Sequence, residues 1–132
     1  MDTQTSTRSI ESTAPPGAVL DILADARRLP EWAPGFADTI EGDQKHGWRV
    51  TKDSDAFEIR VVVQQEARTV DYLRQVAPGL VGGAYLRVTP LMGGGSSVVI
   101  TVPVIGDPDV VAATLDAELA AITRLAQAAI PA

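Results

Sequence analysis

DPDVVAATLDAELAAITRLAQA, residues 107–128, carries the most regular pattern in the chain, and the fold follows from it. Asp107 is a good N-cap residue. Pro108 fits the first helical position, where its missing N–H costs nothing, and Asp109 suits the positive end of the helix dipole. Apolar residues recur at Val111, Leu115, Leu119, Ile122 and Leu125, with Ala126 and Ala129 beside them. Those steps of three and four make one stripe. Asp116, Thr123, Arg124 and Gln127 fall largely outside it. About 22 residues at 1.5 Å each give a helix of roughly 33 Å, long enough to cross a whole sheet.

The sheet it would cross lies upstream. From Gly35 to Val104 the pattern has period two, and six strands are expected at 36–42, 47–53, 56–65, 68–76, 83–91 and 96–104. The turn signals GDQKHG, KDSD, QEAR, PGLVGG and MGGGS separate them. Short strands joined by tight turns imply an antiparallel meander. TSTRSIES, 5–12, reads as a first strand at the sheet edge. APPGAVLDILADARRL follows, with Pro16 at a first helical position and Val19, Leu20, Ile22 and Leu23 as an apolar face. Pro30 is expected to end or offset this helical stretch, because the residue before a proline avoids the α region. The order is therefore β–α–α–β6–α. One helix about 10–12 Å across cannot fill the concave face of a seven-stranded curling sheet. It is also rich in alanine (Ala112, Ala113, Ala117, Ala120, Ala121), which leaves space beside it. Either the short helices close the gap or a cavity remains.

Composition bounds the function. The 132 residues are 45 % hydrophobic and 21 % charged, which is ordinary globular composition. The length predicts a single domain over residues 1–132. With only 5 % aromatic residues, its core must be mostly aliphatic. A net charge of −6 and no Lys/Arg run argue against nucleic-acid binding. No apolar run approaches the roughly 20 residues of a membrane span, so stable membrane insertion is not expected. MDTQTSTRS lacks the charged and apolar regions of a secretory signal. With no Cys there is no thiol chemistry, and one His rules out a multi-His metal site within the chain. The expectation is a soluble cytoplasmic protein without metal or cofactor.

The element order and local wording resemble the START/Bet v 1-like helix-grip superfamily, nearest to bacterial polyketide cyclase/dehydrase-like proteins. The residues that carry the resemblance near the start are Ala14-Pro15-Pro16, Val19, Leu23 and Leu29-Pro30-Glu31-Trp32. Further on come Gly47-Trp48-Arg49-Val50, Val70-Asp71-Tyr72 and Arg87-Val88-Thr89-Pro90, then the long helix. The resemblance implies an α+β helix-grip fold: a seven-stranded curved antiparallel sheet wrapped around the C-terminal helix. It also implies a cavity between them for a small hydrophobic or aromatic molecule. Fold transfers further than activity across such a resemblance. Three readings follow. The chain is a small-molecule binder; or a polyketide-type cyclase, aromatase or dehydratase acting on a poly-carbonyl substrate; or a homodimeric or co-chaperone-like interaction module that uses the open first strand.

In that fold the proline-broken RLPEWAPGF, 28–36, lies at one end of the cavity. Trp32 and Phe36 either plug that end or touch a ligand. If Glu66-Ala67 form a two-residue turn, Arg60 pairs with Leu73 and Val61 with Tyr72. One face then carries Phe57, Ile59, Val61, Val63, Val70, Tyr72, Arg74 and Val76, and it is the inward one. Arg60 and Asp71 form a diagonal pair on the solvent side, and a slip of one residue would reverse one strand. Tyr72 lines the cavity or packs in the core. Arg74 holds an anionic oxygen or snorkels to water. Trp48 from the next strand, and Leu115, Leu119 and Ile122 from the helix, complete the expected lining. Alternation turns Arg87 to solvent. Tyr72, Arg74 and His46 are the weak candidates for polarising carbonyls or moving protons. His46, beside Lys45 in a turn, reads mainly as exposed. The glycine run in MGGGSS joins two strands and does not open a helix, so it reads as a hairpin loop and not a phosphate cradle.

Overall fold

A computed structural model describes residues 4–130, with the side chains of Val76 and Ala77 excepted. The inward placement expected of Val76 therefore lies outside the described side chains. The elements run β1 (Thr5–Ser12), α1 (Pro16–Ala24), a 3₁₀ turn (Ala26–Arg28), α2 (Leu29–Trp32), β2 (Thr39–Asp43), β3 (Gly47–Lys52), β4 (Asp55–Gln64), β5 (Thr69–Ala77), β6 (Leu80–Pro90), β7 (Ser96–Pro103) and α3 (Pro108–Ala128). All pairings are antiparallel. The sheet order β1-β7-β6-β5-β4-β3-β2 is a meander closed by the first strand. This is the α+β helix-grip arrangement, with α3 against the concave face. No helix among the described residues is long and apolar enough to cross a membrane.

The 56–76 hairpin has the expected register: Arg60 pairs with Leu73 and Val61 with Tyr72. Ile59, Val61, Val70 and Tyr72 are buried, while Glu58 and Arg60 are exposed. Arg87 is exposed between buried Leu86 and Val88, as alternation requires. The expected Arg60–Asp71 pair does not form, although Asp71 shares Arg60's face. Partial burial raises the Asp71 carboxyl, and Arg87 is the cation that opposes that shift.

Three local expectations are corrected. The helical stretch breaks at Asp25 (φ −86°, ψ 94°), not at Pro30. Leu29 is helical (φ −49°, ψ −45°) despite preceding a proline, and Pro30 sits in the first turn of α2. There its missing N–H has no intrahelical partner to lose. Phe36 lies in a turn ahead of β2, its N–H donating to the Ala33 carbonyl at 3.0 Å. Strand β6 begins at Leu80 because Pro78-Gly79 alone makes the turn, with Ala77 pairing Leu80 and Gly79 at φ 75°. Only glycine enters that region without steric cost.

The two halves of α3 sit differently. Toward its C-terminus, Leu119, Ile122 and Ala126 join Val19, Leu23, Leu86, Val98 and Ile100 in one buried cluster. Thr123 donates to Ser12, and Gln127 Nε2 donates to Thr13 Oγ1 at 2.8 Å. Nearer the middle of the helix, Arg8 of β1 grips Asp116 with two bonds of 2.8 and 2.9 Å. Toward its N-terminus, α3 stands over open space.

Candidate functional site

That space is a cavity of about 510 Å³ between the N-terminal half of α3, α2 and strands β4 to β7, within the ordinary range for small-molecule sites. Leu29, Trp32 and Phe36 close one side, Ile59, Tyr72, Arg74 and Ala84 form the floor, and Val111, Leu115 and Glu118 form the roof. Exposed Ile105 and Val110 flank the cavity. Gly83 belongs to the floor, and a Cβ there would come within 2.2 Å of the Tyr72 carbonyl oxygen. That close approach keeps the floor free of a side chain at this point. The alanines of α3 do not make the space. Ala113, Ala117 and Ala120 are exposed, and the helix meets the cavity through Val110, Val111, Thr114, Leu115 and Glu118.

Of the expected lining residues, the cavity gathers Trp32, Phe36, Ile59, Tyr72, Arg74 and Leu115. Trp32 packs edge to face against Tyr72, ring centroids 5.5 Å apart. It is 2 % exposed, so it is core and wall at once. Phe57 lies in an adjoining cleft of about 410 Å³ that shares Gly35, Phe36 and Arg74 with the main cavity. Phe36 meets Phe57 edge to face at 5.1 Å, and the Arg74 guanidinium stacks 4.0 Å from the Phe57 ring centroid. Arg74 therefore stands between the two spaces.

Val61, Leu119 and Ile122 face the core cluster and not the cavity. Trp48 is buried but lies near the β2 edge, where the 3₁₀ turn and not α3 covers it. Its Nε1 donates to Gln44 Oε1 at 3.0 Å, and Arg27 stacks on its ring at 5.4 Å. His46 sits on an exposed turn, Nδ1 3.1 Å from Asp43, away from the cavity.

The polar inventory of the cavity is short. Tyr72 donates its hydroxyl hydrogen to the Leu23 carbonyl at 2.6 Å. Burial also pushes its phenol far above the usual range, so it stays protonated. Arg74 Nε and Trp32 Nε1 are both buried without an acceptor. An unpaired buried donor typically costs about 1–3 kcal/mol. Glu118 is the one carboxyl among the described residues of the lining, and burial pushes it up to about 7. Sequence reasoning passed over Glu118. The available signal was its phase: it lies three residues after Leu115 and four before Ile122, inside the apolar stripe. Among the described residues no three His, Cys, Asp or Glu side chains gather as a metal site would.

The fold and the cavity place the protein in the class of helix-grip proteins. The chain belongs to the family described as polyketide cyclase / dehydrase and lipid transport, whose model matches residues 3–129. Solved structures share the fold at low identity. The Zhui aromatase/cyclase from Streptomyces sp. R1128 is 18 % identical, with a TM-score of 0.69 over 98 % of this chain and 96 % of that one. A START superfamily protein from Mycobacterium smegmatis is 11 % identical, with a TM-score of 0.64 over 96 % of each chain. A protein from Thermus thermophilus is 13 % identical, with a TM-score of 0.72 over 96 % of this chain and 99 % of that one. No curated protein matches the sequence.

Proposed function

We propose that the protein binds a small hydrophobic or aromatic molecule in the cavity under α3, the whole chain acting as one binding unit. The observation that carries this reading is the cavity of about 510 Å³, walled mainly by apolar side chains from helix and sheet. Family membership supports it, since that family covers cyclases, dehydrases and lipid transport. Burying the ligand's apolar surface supplies the driving force. Arg74 is the wall's cation, and its unpaired Nε suits an oxygen acceptor on the ligand once the side chain turns off Phe57.

Native mass spectrometry of protein purified from its own host tests this reading. The expected result is an excess mass that disappears on denaturation and is missing from the cavity-filling variant Ala84→Phe. Equal native and denatured masses, with no uptake of added naphthalene-sized probes, would sink it.

A second reading is favoured by Arg74 and Glu118, the basic and acidic side chains of the described lining. A polyketide-type cyclase, aromatase or dehydratase needs a carbonyl-polarising group and a proton carrier. In this reading Arg74 polarises the carbonyl and Glu118 carries the proton. Tyr72 is less suited to proton transfer, because its hydrogen is committed to Leu23. Turnover of a poly-carbonyl substrate that survives Arg74→Met and Glu118→Gln unchanged would remove this assignment.

A further inference from the structure

We propose that Glu118 recognises a hydroxyl group on the molecule held in the cavity, so that the preferred ligand is an apolar body carrying a phenol or alcohol. This rests on the binding reading above and adds to it the polar chemistry of the ligand on its helix side. Glu118 lies on the stripe of α3 that faces the sheet and is only partly exposed. It makes no hydrogen bond or ion pair with any described residue (the four ion pairs found lie elsewhere). Its neighbours one turn away, Thr114, Leu115, Ala121 and Ile122, carry no charge.

The charged groups on the packed elements are directed elsewhere. Arg8 on β1 is held by Asp116. Glu31 on α2 is held by Arg28. On α1, Asp21 is exposed, and β7 contributes only Val102 and Pro103 to the lining. Arg74 and Tyr72 are the other titratable groups of the cavity. Arg74 is stacked on Phe57, and only burial acts on Glu118. No described residue donates to this carboxyl, and a bound ligand that displaces water from the cavity can do so. A cationic ligand would meet the Arg74 guanidinium in the same cavity, so a neutral hydroxyl fits better. The hydroxyl O–H donates to the carboxylate, which makes recognition stronger when Glu118 is ionised.

Three probes of nearly equal shape test this by calorimetry on the full chain: 2-naphthol, 2-methylnaphthalene and 2-methoxynaphthalene. At pH 8.0 the affinity ratio of 2-naphthol to 2-methylnaphthalene is expected to fall about tenfold from wild type to Glu118→Leu, the size of a hydrogen bond to a charged group. The ratio of 2-methoxynaphthalene, which accepts but does not donate, to 2-methylnaphthalene is expected to stay within twofold. In wild type the 2-naphthol ratio is expected to drop at pH 5.5, and in Glu118→Gln to be independent of pH. An unchanged 2-naphthol ratio in Glu118→Leu, or an equal change for 2-methoxynaphthalene, overturns the hydroxyl assignment while leaving the cavity reading intact. No binding of 2-methylnaphthalene to wild type overturns both.

Discussion

The two halves of α3 share one apolar stripe and have opposite roles. The C-terminal half is sealed: Leu119, Ile122 and Ala126 lie in the core cluster, and Thr123 and Gln127 tie the helix to the end of β1. The N-terminal half roofs a cavity and carries Glu118 within its apolar stripe. The difference comes from what stands opposite. Ser12 and Thr13 at the end of β1 meet the sealed half, and Val19 and Leu23 of α1 share its buried cluster. Facing the cavity under the open half stand the single turn of α2, the sheet floor with Gly83 and Ala84, and Val102 and Pro103 of β7. The bond from Tyr72 to the end of α1 ties the floor to the helix whose residues line the sealed half. A helix stripe therefore reports which side faces inward, not whether that side is filled.

The largest expected effect contrasts the halves directly. Ile122→Ala removes a fully buried side chain from a packed cluster and is expected to cost about 3 kcal/mol in urea unfolding. Val111→Ala, at the cavity roof, is expected to cost less than about 1 kcal/mol, because space already adjoins it. Equal costs would mean the open half is as well packed as the sealed one.

Glu118 gives the next effect. Its folded-state value, about 7, lies above its ordinary 4.5. The folded protein thus holds the proton more tightly than the unfolded chain. The stability linked to the protonated carboxyl is fully present below about pH 4.5 and is lost as pH rises to about 7. Glu118→Gln is accordingly expected to be more stable than wild type at pH 8, by at most about 3 kcal/mol. That gain should vanish toward pH 4.5. A difference independent of pH would show that the carboxyl is not held in a desolvated site.

Tyr72→Phe leaves the Leu23 carbonyl without its donor and is expected to cost about 1–2 kcal/mol. An unchanged unfolding midpoint would mean that this bond does not tie the two regions together. The smallest effect is expected from His46→Ala. The side chain is exposed on a turn outside the cavity, so probe affinity should not change. A measurable loss of affinity would move the binding site toward the β2–β3 turn.

Much of the fold is written in local pattern. The capped stripe from Asp107 onward appears as α3, with Asp107 accepting from the Asp109 N–H at 2.9 Å. The hairpin register follows from its turn and its alternation, because a one-residue slip would carry every apolar side chain to the wrong face. Of the site, Trp32, Phe36, Tyr72 and Arg74 were legible as inward rings and a cation near one end of the sheet. Trp48 was not, since alternation gives its face but not that the 3₁₀ turn covers it.

Residue order alone thus accounts for the elements, their succession, the inner face of the sheet and the chemistry on offer. Those are properties of neighbours in the chain, where backbone geometry fixes the period. It took the packed molecule to open the gap under α3 at one end and fill it at the other. The same packing makes Tyr72 spend its hydrogen on Leu23, and leaves Glu118 in the roof of the cavity without a partner among the described residues. Contacts between distant elements set these outcomes, because the space left between a helix and a curved sheet depends on every side chain that meets there.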